Sequence, residues 1–422
     1  MGVLDKLFLS SLKGRNNKQT TSEEQMKFNK LTLGLAAVGA VSLASAVRAD
    51  EAKIIPLQTT LANTTISGYV DTAVQYNAGN VTGASQQPAG TFPGKVDNFS
   101  LNDFDIAIDR PADSTPWAAG YHADINAGTD AVGYTFHPGG PGAASPAGLG
   151  APAIRQAYVT LTTPVGNGIT WKMGVQDDII GYEGNTDAAN PNYTRSIGYY
   201  LEPTTLIGLV GSYQINSMFT IQGGIADPTT SDGTVSAKSF VGALAFTAPD
   251  SWGFLKGGTA NLGIVANPYK SAQYNYYAGF TIPTPLSMLK VGGSFDLVSV
   301  NNQNYPAGNV NPNNDSGWDL AGYANIQATD KLAFNLRGEV YDLKGAVNPY
   351  YSYEPLAPTD GVGEELTATV QYNLWANVTS RAEFRWDHSD GGYPFGGYGA
   401  PIDNGTPSQD SFIMALNIIY SF

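Results

Sequence analysis

The sequence ends with the stretch SFIMALNIIYSF, residues 411–422, in which every second residue is large and apolar. The apolar set is Phe412, Met414, Leu416, Ile418, Tyr420 and Phe422, and the residues between them are smaller and more polar as a group. This period of two predicts a β-strand with one apolar face. A final strand that ends on an aromatic residue is typical of a β-barrel that closes in lipid. An edge strand of a soluble sandwich is the alternative.

The composition also favours a barrel. Charged residues make up 14% of the 422 residues, below the roughly 25% usual for soluble domains. The mean hydropathy is nevertheless slightly negative, at −0.16, as expected when only alternate strand residues are apolar. The sequence contains no cysteine, which excludes disulfides and thiol chemistry. Its net charge of −14 argues against a nucleic acid as partner.

The longest apolar run lies near the start of the chain. Residues 26–49 have a basic beginning, a short apolar core at 31–43 and small residues before Ala49. These are the parts of a secretory signal peptide, and the core is too short to span a membrane as a helix. We expect cleavage after Ala49. Residues 1–25 are interpreted as an upstream extension or a mis-chosen start, and residues 50–422 as one exported outer-membrane β-barrel.

Sixteen strands are predicted in the exported part, each near the length that crosses a bilayer when tilted. They cover residues 64–76, 98–110, 117–126, 153–163, 168–176, 203–213, 218–226, 235–248, 257–267, 272–283, 287–300, 316–328, 331–344, 362–373, 376–388 and 410–422. Even-numbered strands lead into short links such as 164–167, and most odd-numbered strands lead into long ones such as 127–152. This separation of short turns from long loops is typical of outer-membrane barrels.

The predicted fold is therefore an all-β, transmembrane, antiparallel up-and-down barrel with sixteen strands. Two places weaken this count. Arg155 falls on the apolar face of its strand, so that either it reaches the rim or a β-bulge shifts the register. Strand 203–213 alternates poorly. Fourteen or eighteen strands remain alternatives.

The polar faces of the strands supply a candidate pore lining. Its charged members are Asp71, Asp103, Asp105, Asp109, Asp124, Lys172, Lys290, Arg337, Glu339, Arg381, Glu383 and Arg385. A sixteen-strand barrel leaves an aqueous lumen, in which opposed charges sort solutes by charge and size. The alternative is that these residues form internal ion pairs in a plugged barrel.

The connection 177–202 differs from the other long links because it mixes carboxylates with apolar residues. Ile179, Ile180 and Tyr182 are expected to pack against another surface, and the barrel interior is available. We therefore predict that this loop, which follows the fifth strand, folds into the lumen as a constriction. Its acidic rim would consist of Asp178, Glu183 and Asp187, with Arg195 near its base. An ordinary extracellular loop is the alternative.

Parts of this connection resemble a known family. The similar parts are Gly181-Tyr182-Glu183, the segment from Asn190 to Ser196, the predicted first strand from Ile66 to Asp71 and the terminal Phe422. In these parts the sequence resembles the OmpL-like putative beta-barrel porin family of Gram-negative outer membranes. The resemblance implies a porin-type channel in the bacterial outer membrane. It also implies that Phe422 is the assembly signal read by the barrel-assembly machinery.

We expect a porin that passes small hydrophilic solutes and ions by passive diffusion, and the acidic balance favours cations. One alternative is a structural or adhesive surface barrel with a plugged lumen. Another is a sugar-selective channel, which requires aromatic side chains along the lumen. Expected partners are outer-membrane lipid, the barrel-assembly machinery, small hydrophilic solutes and other copies of the chain in a homotrimer.

An enzyme is not expected. The sequence has three histidines, and only His122, near Asp124 on one strand face, could form part of a catalytic pair. A polar residue in the pore lining is the strongly favoured explanation of His122. No metal-ligand spacing, Walker A motif or dinucleotide fingerprint occurs, so neither a metal nor a cofactor is predicted.

Overall fold

The computed structural model describes residues 57–58, 63–78, 95, 97–113, 115–133, 152–227, 238–267, 272–301, 315–344, 361–390 and 409–422. The predicted extension 1–25 and signal peptide 26–49 lie outside these residues, as do most of the long connections. Within the described ranges, no helix has the length and apolar character needed to cross a membrane.

Sixteen strands form one antiparallel sheet that closes on itself. They are β1 (Thr65–Ala78), β2 (Asn98–Arg110), β3 (Ala119–Ala127), β4 (Ala153–Thr163), β5 (Ile169–Asp177), β6 (Thr205–Gln214), β7 (Phe219–Ala226), β8 (Ser239–Thr247), β9 (Thr259–Asn267), β10 (Ala272–Pro283), β11 (Leu289–Asn301), β12 (Asp315–Gln327), β13 (Leu332–Leu343), β14 (Gly361–Trp375), β15 (Val378–Ser389) and β16 (Asp410–Ser421). A further two-residue strand, Leu57–Gln58, pairs with β1. The prediction of an all-β barrel with sixteen strands is confirmed.

The C-terminal strand β16 closes the barrel by pairing with β1, where Ile419 lies opposite Asp71. Gly68 and Phe422 exchange two backbone hydrogen bonds across this seam, of 3.1 and 3.0 Å. Closure gives every edge of the sheet a partner, which a strand in lipid requires because no water can bind its backbone groups.

Side chains on the outer face are apolar and exposed, and those on the inner face are mostly polar and buried. On β16 the outward Leu416 is 58% exposed, whereas the inward Ile413 is fully buried. On β15 the outward Phe384 is exposed and its neighbour Arg385 is buried. An apolar exterior around a polar interior is the reverse of a soluble sandwich, and it is the arrangement expected in a bilayer.

The two departures from alternation have different structural causes. The register between β3 and β4 shifts beside Asp124, so Arg155 is the extra residue of a β-bulge and points inward. There its guanidinium pairs with Asp124 and, at 2.9 Å, with Asp177. The bulge interpretation is therefore correct and the rim interpretation is wrong. On β6 the inward Leu206 and Val210 are apolar because they pack against Ile180 and Tyr182 of the connection after β5.

Candidate functional site

Residues 178–204, here called the inner segment, follow β5 and contact side chains on the inner face of the barrel wall. The segment contains a 3-10 turn, Asp187–Ala189, and a short helix, Ile197–Leu201, and is otherwise irregular. Its two ends lie side by side, since the Asp178 amide donates to the Thr204 carbonyl at 3.2 Å. The segment thus leaves the wall and returns to it at one place.

One end of the inner segment is held by apolar contacts. Ile180 and Tyr182 belong to a buried cluster with inward side chains of six strands. Tyr182 stacks on Tyr323 with ring centroids 4.0 Å apart, and the Thr281 hydroxyl donates to its hydroxyl at 3.0 Å. Gly181, between these anchors, has φ of +113° and leaves no room for a side chain beside Glu202. Glycine is the residue that adopts this backbone most readily.

Arginines of the opposite wall donate hydrogen bonds to the backbone carbonyls of the inner segment. Arg337 donates to the carbonyl of Thr194 at 2.8 Å, and Arg385 donates to that of Arg195 at 2.8 Å. Arg381 donates to the carbonyls of Asp187 and Asn190, at 3.2 and 2.6 Å. An irregular backbone inside a barrel needs such partners because it has no ladder of its own.

Glutamates accept hydrogen bonds from the backbone amides of the same stretch. The Glu383 carboxylate accepts from the amides of Tyr193 and Thr194, at 2.5 and 2.9 Å. Glu339 accepts from the Ile197 amide at 2.9 Å. Glu183, on the segment itself, accepts from the Ser196 amide at 2.8 Å. The charged inner wall therefore satisfies backbone donors as well as acceptors.

These charged groups also pair with each other. Fully buried Arg337 lies 2.8 Å from Glu183, 3.2 Å from Glu365 and 3.3 Å from Glu339. Fully buried Arg385 lies 2.6 Å from Asp387. Charges taken out of water are tolerated when each has an opposite partner and its hydrogen bonds are satisfied. Removal of one member would therefore leave a buried partner with less compensating charge.

All twelve residues predicted to line the pore lie on the inner face, but their surroundings differ. Asp71, Asp103, Asp105 and Asp124 are buried, and Asp109, Lys172 and Lys290 are half-buried. The remaining five are buried against the inner segment, and these are Arg337, Glu339, Arg381, Glu383 and Arg385. For these five residues the structure differs from the prediction, because they contact the inner segment and do not border an aqueous lumen. Groups of the segment, and not water, surround these five side chains.

The predicted acidic rim of the inner segment is largely neutralised. Glu183 is paired with Arg337, and Asp187 is paired at 2.6 Å with Arg195, the residue predicted at the base of the loop. Asp178 is half-buried, and burial raises the pKa of its carboxyl well above the ordinary value. Burial, and next the nearby Asp296 carboxyl, also raise the pKa of Glu202. The rim carries less negative charge than the sequence alone predicts.

Sequence reasoning missed the partners of the wall charges. Thr194, which contacts both Arg337 and Glu383, carries no charge and has no distinguishing pattern. The available signal was the concentration of inward charges on β13–β15, opposite a loop with apolar anchors. Among the described residues, no group of three or more His, Cys, Asp or Glu side chains could hold a metal ion.

Two carboxylates on the wall formed by β2–β5 remain partly exposed, although most inward side chains of these strands are buried. The inward side chains of Asp109 and Asp177 are 42% and 39% exposed there, whereas Arg337 and Arg385 on the opposite wall are fully buried. These two carboxylates are therefore accessible to solvent on this wall.

Comparisons with known proteins agree with this architecture. The sequence model of the family described as putative beta-barrel porin-2, OmpL-like, matches residues 63–422. No curated protein sequence matches the chain. Similar folds among solved structures include the outer membrane channel DcaP of Acinetobacter baumannii, with a TM-score of 0.55 and 9% identity over 86% of this chain and 99% of that one.

Two other solved structures are similar. In-vitro folded OmpT, an outer membrane protein of Vibrio cholerae, has a TM-score of 0.53 and 12% identity over 87% of this chain and 100% of its own. An anion-selective porin from Comamonas acidovorans has a TM-score of 0.50 and 12% identity over 85% and 99%. At these identities the likeness concerns the fold.

Proposed function

The chain belongs to the putative beta-barrel porin-2, OmpL-like family, and we propose that it passes small hydrophilic solutes and ions through the bacterial outer membrane by passive diffusion. The observation that carries this proposal is the closed sixteen-strand barrel with an apolar exterior and a polar interior. A barrel of this size encloses more space than side chains alone fill. Diffusion through a polar lumen needs no catalytic group, so the proposal includes no enzymatic activity.

The inner segment is proposed to be the constriction of this channel. Its backbone is anchored to the wall of β13–β15, and the wall of β2–β5 keeps partly exposed polar side chains. This partial exposure favours a narrow passage over a fully plugged surface barrel. Among the twelve predicted lining residues, Asp109 and Lys172 are therefore proposed to contact solutes directly.

A preference for cations is proposed from the charge of the interior. Among the described residues, twelve buried side chains are acidic and six are lysine or arginine. An excess of negative charge around a narrow aqueous path raises the local concentration of cations. The fold itself does not set this preference, since the anion-selective porin from Comamonas acidovorans has a similar fold.

Export and assembly follow from the same proposal. Residues 26–49 are proposed as the cleaved signal peptide, with 1–25 as an upstream extension or mis-chosen start. Phe422 at the barrel seam is proposed as the signal for the barrel-assembly machinery.

A homotrimer is proposed as the assembly, in contact through β3–β9. These strands have eight to eleven residues, against twelve to fifteen elsewhere in the barrel. A wall of short strands matches the thickness of the bilayer poorly, so contact with another copy of the chain would stabilise it.

Planar-bilayer recording of the purified full-length protein tests the proposed function. We expect stepwise currents in potassium chloride, grouped in three levels if the barrels insert as trimers. In a salt gradient, the reversal potential should have the sign of a cation-preferring channel. A reversal potential of the opposite sign would remove the cation preference. Incorporation without any current steps would favour the plugged surface barrel.

A further inference from the structure

The wall formed by β2–β5 carries a row of polar and aromatic side chains. The Asp109 carboxylate lies 3.0 Å from Nδ1 of His122, and the His122 ring stacks on Tyr158 with centroids 5.1 Å apart. The Lys172 ammonium lies over the same tyrosine ring, 4.7 Å from its centroid. A carboxylate and an ammonium group thus stand at the two ends of a stack of two rings.

Lys172 differs from the other inward cations of this part of the barrel. Arg155, on the neighbouring strand, is buried and pairs with Asp124 and Asp177. Across the ranges that the structure describes, Lys172 forms no ion pair, and the Tyr158 ring is its principal side-chain contact. The carboxylates of Asp177 and Asp109 act on this half-buried ammonium without contacting it, so it can still bind an anionic group that reaches it.

Asp109 offers the complementary charge at the other end of the row. Its side chain is 42% exposed, and the His122 ring contacts one of its oxygens. The strand beside Tyr158 has glycine at the paired position, since Tyr158 lies opposite Gly174 and Gly174 lies opposite Gly208. A Cβ at Gly174 would meet the Ala157 carbonyl, and one at Gly208 would meet the Ile225 carbonyl, so these glycines let the neighbouring strands approach closely beside the ring.

We propose that Asp109 and Lys172 form a binding site for zwitterionic solutes, amino acids or short peptides, within the passage. The ammonium group of the solute would bind Asp109 and its carboxylate would bind Lys172, while its apolar part lies along His122 and Tyr158. This inference rests on the proposed channel function and names a solute class for it. Binding of moderate strength speeds entry of a solute into a channel without trapping it.

Peptide uptake into vesicles that contain the purified protein tests the site. The measured quantity is the permeability of triglycine relative to an uncharged analogue, N-acetyltriglycine amide, at low concentration. We expect the wild-type protein to favour triglycine. Lys172→Met and Asp109→Asn should each lower the ratio about threefold, as expected for a partly exposed charged contact. The double variant Asp109→Lys, Lys172→Asp should recover much of the wild-type ratio, because the peptide can bind with its two charged ends exchanged.

Lys331→Met is the matched control, since it removes a lysine from an exposed turn. It should leave the ratio at the wild-type value. Equal permeability of the two peptides in the wild type, or an unchanged ratio in both single variants, would overturn the inference while leaving the channel intact. Absence of uptake of both peptides and of arabinose would instead overturn the channel function together with the site.

Discussion

Replacing residues 179–203 by a short Gly-Ser linker is expected to raise the single-channel conductance severalfold. The inner segment reaches from the end of β5 to the wall of β13–β15, and as the proposed constriction it narrows the lumen. Its ends are joined by the 3.2 Å hydrogen bond between Asp178 and Thr204, so a short linker closes the gap without moving the strands. Planar-bilayer currents of the deletion variant and the wild type give the comparison.

The deletion leaves the barrel's sixteen-strand ladder complete, and water can hydrate the wall charges that the segment covered. Substitution of the exposed turn residues Thr329 and Asp330 by Gly and Ser is the control, and its conductance should equal that of the wild type. If the deletion variant folds and conducts no better than the wild type, the inner segment is not the constriction.

Arg337→Met is expected to lower the free energy of unfolding by about 3–5 kcal/mol, the usual cost of breaking a buried charge pair. The fully buried guanidinium contacts Glu183, Glu339 and Glu365, and it also holds the Thr194 carbonyl. Its removal takes a counter-charge from Glu183 and Glu339, leaves Glu365 with Arg385 at 3.7 Å, and frees the Thr194 carbonyl of the inner segment. Urea titration in lipid vesicles, followed by tryptophan fluorescence, measures the change.

The same variant should also conduct more noisily, because the inner segment loses one of its anchors. Lys331→Met removes a positive charge from an exposed turn and serves as the control, with an expected change below about 0.5 kcal/mol. Equal stability of Arg337→Met and wild type would mean that the buried network does not hold the segment.

The strands were predictable because the bilayer imposes a strict rule on them. Lipid requires an apolar side chain at every second position, so the alternation in stretches such as 376–388 and 411–422 predicts both the strand and its face. The lengths of the links between predicted strands then distinguish the short turns from the long loops. Strand bounds agree with the structure within about four residues.

The partners of the inward charges were not predictable in the same way. Alternation shows that Arg337 and Glu383 point inward, but it does not show whether they meet water, each other or a backbone. Several of their partners are main-chain groups of the inner segment, which any sequence would provide. The bulge at Arg155 depends on one extra residue opposite Asp124, so the sequence left two interpretations that only the register separates.

The most direct test of the channel and its constriction is the accessibility of the inner segment to a reagent in the open channel. The chain has no cysteine, so Ala188→Cys introduces a single thiol in the half-buried turn Asp187–Ala189. A bulky, water-soluble methanethiosulfonate is added while current flows through this variant, with wild type as the control. We predict that its conductance falls irreversibly and that the wild-type current is unchanged. Full labelling of the thiol without any loss of conductance would contradict the account.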